Sequence, residues 1–299
     1  MKKYALGWMI LTALGMTGCG GGSSNTGPTL DAQYQQAMQI TSPDAKVIKL
    51  LEVAGKQKTA GDTGGANKSL ASASLAAGQI ADPASRANAL NGVAYEQVKF
   101  NASTEAKDTL KAVRDTIKEI ESAQAKVPNL VDMSVSYARL GNADAAKAYL
   151  EEAESDAGGI SETRYRVDAL LRVSIGYFRC ELPAESERVM STTRELAATI
   201  ADHRHRSDAL AEIGDALRKM SSPDAPVVLD EAKAAADQID DNLSKAFALV
   251  NLGSKQAGAQ NYAAAKALLD AAEELSGKVD ASISGELRDD INQVRQRMQ

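Results

Sequence analysis

Apolar residues recur along this chain at a step of forty. Isoleucine stands at Ile40, Ile80, Ile120, Ile160 and Ile200, and the series continues to Ile239 and Val279 after a one-residue deletion. Ten positions beyond each of the first six lies leucine: Leu50, Leu90, Leu130, Leu170, Leu210 and Leu249. Thirteen beyond lie Val53, Val93, Met133, Val173, Ile213 and Leu252, and fourteen beyond lie the small residues Ala54, Ala94, Ser134, Ser174, Gly214 and Gly253. Offsets of 10, 13, 14 and 17 trace one face of a 3.6-period helix, so the spacing predicts a first helix in every unit.

A second stripe follows in each unit. Small residues at Ala66, Ala106, Ala146, Ser186 and Ala265 are followed after four positions by Leu70, Leu110, Leu150, Met190 and Leu269, and after three more by Ala73, Val113, Ala153, Thr193 and Ala272. That 4-then-3 spacing is again a helical face. Turn signals separate the stripes at Gly61 to Gly65, Leu140-Gly141-Asn142, Pro183 and Ser222-Pro223, and the last of these also suits the missing residue. Unit boundaries carry Asp82-Pro83, Asp202 and Asp240-Asp241, residue types that begin helices. Each unit therefore reads as a helical hairpin that cannot bury its apolar face alone, and stacking six of them makes a solenoid. The units start near 40, 80, 120, 160, 200 and 239; the solenoid occupies 31–299, with partial helices at 31–39 and 279–299. Alanine makes up 53 of the 299 residues, which lets neighbouring helices approach closely.

Unit three resembles the tetratricopeptide repeat, a 34-residue hairpin, through Leu130, Met133, Ser134, Tyr137, Ala146, Leu150 and Ala153; Tyr262 to Leu275 is a second partial match. The period here is six residues longer, the first position lacks Trp, and the usual Pro at the end of the second helix is absent. We place the extra residues in the connection between units. The resemblance covers roughly 40–278 and implies an all-α, right-handed solenoid that binds peptides or partner domains along its concave face. It implies no chemistry.

The N-terminus has a different pattern. Lys2 and Lys3 precede an apolar run from Tyr4 to Met16, followed by small and polar residues. The run is too short to span ~30 Å of hydrocarbon comfortably and has the layout of an export signal. Met16-Thr17-Gly18-Cys19 resembles the lipobox of bacterial lipoproteins, which implies cleavage after residue 18, a diacylglycerol and further acylation such as palmitate on Cys19, and, with no Asp after the Cys, outer-membrane placement facing the periplasm or the cell surface. Residues 19–30 then form a flexible Gly/Ser tether. Loss of Lys2 and Lys3 with the signal takes the formal charge from −6 to −8, so membrane contact is expected through lipid alone.

Composition narrows the function classes. The chain is 44% hydrophobic, so it can offset its ordering entropy, and its two Cys cannot build a disulfide framework. A pI of about 5.2 argues against nucleic-acid binding. No phosphate loop, nucleophile elbow, zinc helix or Cys cluster appears, and no cofactor or metal is expected.

Four features could still carry chemistry. His203 and His205, the only His residues, could ligate a metal if other ligands converged, but their repeat positions place them at the exposed start of a first helix. Cys180 aligns with Phe100 and Leu140 and reads as a small buried hydrophobe, with an intermolecular disulfide as its alternative. Lys46, Arg86, Lys126, Arg166, Arg206 and Lys245 form a basic ladder, one per unit. Repetition in every unit suits a structural contact to an acid or carbonyl better than a stripe for a polyanion. Partner-reading positions should differ between units, and offsets 8, 11, 15 and 19 of the first helix do: Asn88, Asn91, Tyr95 and Lys99; Val131, Val135 and Arg139; Asp168, Leu171, Ile175 and Arg179. The chain reads as a lipid-anchored envelope scaffold without enzymatic activity, holding a protein or peptide in that groove. A self-associating structural protein is the alternative, and an accessory metal-binding or hydrolytic enzyme comes third.

Overall fold

The structure, a computed structural model, describes residues 28–279 and 281–299. The signal, Cys19 and the tether up to residue 27 lie outside the described residues. The first helices of the six units are α2 (Pro43–Thr59), α4 (Pro83–Lys99), α6 (Ala123–Arg139), α8 (Thr163–Arg179), α10 (His203–Lys219) and α12 (Asn242–Gly258). Their partners are α3 (Thr63–Ala77), α5 (Ser103–Ile117), α7 (Ala143–Gly158), α9 (Pro183–Ala198), α11 (Ala225–Asp237) and α13 (Tyr262–Ser276). A short α1 (Leu30–Met38) precedes them and α14 (Ala281–Gln296) follows. The described residues contain no strand, so the chain is an all-α stack of helical hairpins. No helix among them is long and apolar enough to cross a membrane.

The first helices stop in the same way in every unit, and three of them start on an aspartate cap. Side chains of Asp82, Asp202 and Asp241 accept the amide hydrogens of Ser85, His205 and Ser244 at 2.8, 2.8 and 2.7 Å, which satisfies one orphan donor each. At the other end the chain turns left-handed at Gly61, Asn101, Gly141, Glu181, Ser221 and Gln260, with φ between 59° and 81°. In every case the next amide reaches back five residues, as Asp62 does to the Gln57 carbonyl and Leu182 to that of Tyr177, at 2.9 and 3.0 Å. These are six Schellman ends. The deletion lies between Ser221, still in register, and Ala225, which takes the place of Ala66 one residue early.

The forty-residue period is spent in helix. The connection between units is five residues, 78–82 between α3 and α4, too few to contain six additional ones. Our placement of the extra residues there is corrected: they lengthen the helices, the first of which run to 17 residues.

Both predicted stripes are buried. Leu50, Leu110, Leu130, Leu150 and Leu269 are fully enclosed, as are Ala66, Ala106 and Ala146 at the close-contact positions. The boundary residues Ile80, Ile120, Ile160, Ile200 and Ile239 are buried too and plug the connections. Gly176 of α8 shows how tightly one unit packs on the one before it: a Cβ there would stand 2.7 Å from Leu150 Cδ2 and 2.8 Å from Val131 Cγ1. In the same unit Ser174 and Ser186 hydroxyls donate to each other's backbone carbonyl at 2.8 and 2.9 Å.

From α4 to α12 each first helix packs against the next, and each second helix meets the following unit through that unit's first helix. Second helices reach one another mainly through long ion pairs, such as Arg114 to Glu152 at 2.8 Å and the two-pronged grip of Arg188 on Glu154 at 2.8 Å. The first helices thus form the tighter, inner layer, and the stack is concave on their side. The core runs as two apolar clusters that meet at α8 and α9.

Candidate functional site

The basic ladder faces the connections. Arg86 donates to the carbonyls of Ile80 and Ala81 at 2.9 and 3.3 Å and also pairs with Glu119. Arg166 donates to those of Ile160 and Ser161 at 2.6 and 3.3 Å. Lys245 reaches the Asp237 carbonyl at 2.8 Å, the last residue of α11, where the helix dipole favours a cation. Arg206 turns to His203 and Gln238 instead. Lys46 and Lys126 make no such bond among the described residues. Arg86, Arg166 and Lys245 thus bind carbonyls at the connection or helix end that precedes their own helix, while Arg206 stays within its own unit.

Both histidines are held by arginines. Arg206 donates to His203 Nδ1 and Arg164 to His205 Nε2, the latter at 2.9 Å. No three His, Cys, Asp or Glu residues converge into a metal-holding group among the described residues. Cys180 ends α8 half-buried rather than fully enclosed, and burial pushes its thiol up to about 11, which keeps it out of the nucleophilic thiolate form at neutral pH.

The concave face has a different character in its two halves. Towards the C-terminus it is closed by its own pairs: Lys255 with Glu212 at 2.7 Å, Asn251 donating to Asp208 at 2.9 Å, and Arg204 over the Phe247 ring. Over α4, α6 and α8 it is more open. Asn88 is exposed, Tyr95 and Ile175 are half-buried, and the Arg139 guanidinium lies 4.8 Å from the centre of the Tyr95 ring. Lys99 is exposed and held loosely by Glu96 at 3.2 Å. Arg179 approaches Asp132 only to 4.0 Å.

Four of the groove positions do not belong to the open face. Asn91 and Val135 are 3% and 2% exposed, because successive first helices close over them; Asn91 donates to the Asn129 carbonyl of the next unit at 3.0 Å. Val131 and Leu171 are buried in the same seam. In their place the structure brings out Asp132 and Arg172, at offset 12, beside Asp168. Asn91, Val131 and Leu171 all stand at offset 11, and the stripe 8, 12, 15, 19 keeps to one helical face better than 8, 11, 15, 19, a signal present in the spacing; Val135, at offset 15, is buried all the same.

The electrostatics of this stretch are distinctive. Asp132 is half exposed, and partial desolvation by the surrounding helices raises its carboxyl above the ordinary range although Arg179 and Arg172 pull the other way. Asp168 is raised for the same reason, against Arg164 and Arg172 and with Glu212 adding to the rise. Neither carboxylate accepts a hydrogen bond among the described residues. Two acids, three arginines and an aromatic–aliphatic floor can accept donors from a bound chain at the acids and offer charge-assisted bonds at Arg139, Arg172 and Arg179.

No protein-family model matches this chain, and no curated protein matches it. Among solved structures it is similar to Ton1535 from Thermococcus onnurineus NA1, with 14% identity over 86% of this chain and 94% of that one and a TM-score of 0.42. It is also similar to a putative kinesin light chain of Podosopora anserina with nearly identical TPR-like repeats, at 15% identity, 68% and 100% coverage and a TM-score of 0.38. A third is BtubC (BKLC) from P. vanneervenii, at 13% identity, 84% and 92% coverage and a TM-score of 0.36. The helical-hairpin architecture rests on this chain's own helices.

Proposed function

We propose that this protein is a scaffold that binds an extended protein segment along the concave face of α4, α6 and α8, and that lipid on Cys19 holds it at the outer membrane. The observation that carries the binding reading is the gathering of Asp132, Asp168, Arg139, Arg172 and Arg179 beside Tyr95 and Ile175 on three neighbouring first helices, with no hydrogen bond to either carboxylate among the described residues and Arg179 no nearer to Asp132 than 4.0 Å. A bound segment carrying amide hydrogens or a basic side chain can pair with the two acids. Its acidic groups meet Arg139, Arg172 and Arg179, and its apolar groups meet Tyr95 and Ile175. The lipid anchor is supported by the lipobox-like Met16 to Cys19 and the export-signal layout before it.

Capture of the cross-linked protein from its native envelope tests the binding half. One defined envelope complex, lost from a Tyr95→Ala/Arg139→Glu/Arg179→Glu variant that still melts cooperatively, is the expected result. Recovery of the chain alone, alike in both, would replace the scaffold with a self-associating protein. For the anchor, alkyne-palmitate labelling should mark the wild type and not Cys19→Ser.

A further inference from the structure

On the outer face, neighbouring second helices meet across seams that side chains bridge one after another. Tyr34 of α1 shares a hydrogen with Ser72 of α3 at 3.0 Å, and Ser74 of α3 with Thr109 of α5 at 3.4 Å. Arg114 pairs with Glu152 across α5 and α7, Lys147 with Glu185 and Arg188 with Glu154 across α7 and α9, and Arg194 with Glu231 across α9 and α11. Arg295 of α14 holds Asp270 and Glu273 of α13, each at 2.7 Å. The seam between α11 and α13 has no such bridge among the described residues.

The repeat explains the gap. Arg114 and Arg194 recur in α11 as Lys233, but Glu152 and Glu231 recur in α13 as Ala271, so Lys233 turns back to Asp237 of its own helix at 2.7 Å. Ala264 and Ala267 likewise stand where α9 carries the bridging Glu185 and Arg188. Three alanines in place of three bridging side chains leave a cleft of about 390 Å³. Leu249 and Leu252 of α12 form its floor, with Leu268 and Leu275 beside them. That volume lies at the small end of ligand pockets, ~300–1,000 Å³.

The charges around the cleft are unequal. Both lining lysines are committed, Lys233 to the Asp237 carboxylate and Lys245 to the Asp237 carbonyl. Asp230 lines the cleft with no hydrogen bond or ion pair among the described residues. We propose that the α11–α13 cleft is a binding site for a small amphipathic amine, with an apolar body of about eight to ten carbons over the leucine floor and its ammonium at Asp230. This site is independent of the concave face.

Calorimetric and saturation-transfer NMR titrations of the full chain with octylamine, octanol and octanoate test it. Octylamine should saturate a single site, octanol should bind at least tenfold more weakly, and octanoate should not bind. Ala271→Phe, at an exposed position, fills the cleft and should abolish octylamine binding; Ala267→Phe provides the same loss should the first variant melt early. Asp230→Asn should reduce octylamine to the affinity of octanol. Absence of saturable octylamine binding, equal binding by either cleft-filling variant, or octanoate binding as tightly as octylamine would each overturn the proposal.

Discussion

Glu181 and Gln260 hold left-handed backbone conformations, at φ 62° and 59°, where other units use Gly61 and Gly141. An L side chain there costs on the order of 1 kcal/mol. Glu181→Gly is expected to stabilise the chain by about 0.5–1 kcal/mol, read as a higher urea midpoint with unchanged slope; an unchanged midpoint would mean the turn exacts no such strain. The ladder offers a second comparison. Arg166→Met loses two carbonyl bonds and should cost about 1 kcal/mol, whereas Lys126→Met, without such bonds, should be near neutral. Asp132 makes a prediction about pH. Its carboxyl is raised in the folded chain, so the fold gains from protonating it below the ordinary carboxylate range, near about 4, and loses that gain as pH rises through the raised value. Asp132→Asn should therefore raise the melting temperature at pH 7, and the difference should vanish by about pH 3; a lower melting temperature at pH 7 would show that Arg179 and Arg172 outweigh desolvation. The same variant should weaken partner capture, since the strained acid belongs to the binding face.

Packing of one hairpin on the next depends on small residues at a few positions. Gly176→Ala pushes a methyl into Leu150 and Val131 and should destabilise by ~1–3 kcal/mol. Ala271→Glu rebuilds the Arg–Glu type of bridge seen in two other seams, by pairing with Lys233, and should raise stability by ~0.2–1 kcal/mol if the open seam is a missing bridge; a loss would place Lys233 out of reach. Element type and core were legible in the sequence because both depend on period: each helix buries a stripe, and a forty-residue repeat states that stripe six times. The groove was only partly legible. Offset 11 reads Leu51, Asn91, Val131, Leu171, Ala211 and Val250, apolar in every unit but one, which marks a core seam, and Asn91 alone made it look like a partner-reading position. The ladder's targets are carbonyls, which no sequence displays, and the openness of the α11–α13 seam depends on which side chains meet across 38 residues of chain.

At the scale of the whole molecule α14 packs on the last hairpin as an amphipathic helix. Ser284, Leu287, Ile291 and Val294 of α14 are buried on one side, while Glu286, Arg288 and Asp289 are exposed on the other. The concave layer is the continuous surface where units differ from one another, with Tyr95, Asp132, Asp168 and their neighbouring arginines gathered on α4, α6 and α8. The most direct measurement is site-specific photo-cross-linking in cells that produce the protein, with p-benzoylphenylalanine placed singly at Asn88, Tyr95 and Asp168 on the first helices and at Lys107 and Glu187 on the second. The account predicts one common adduct from the three concave positions and none from the two outer ones. Adducts from Lys107 or Glu187 with none from the concave face would contradict it.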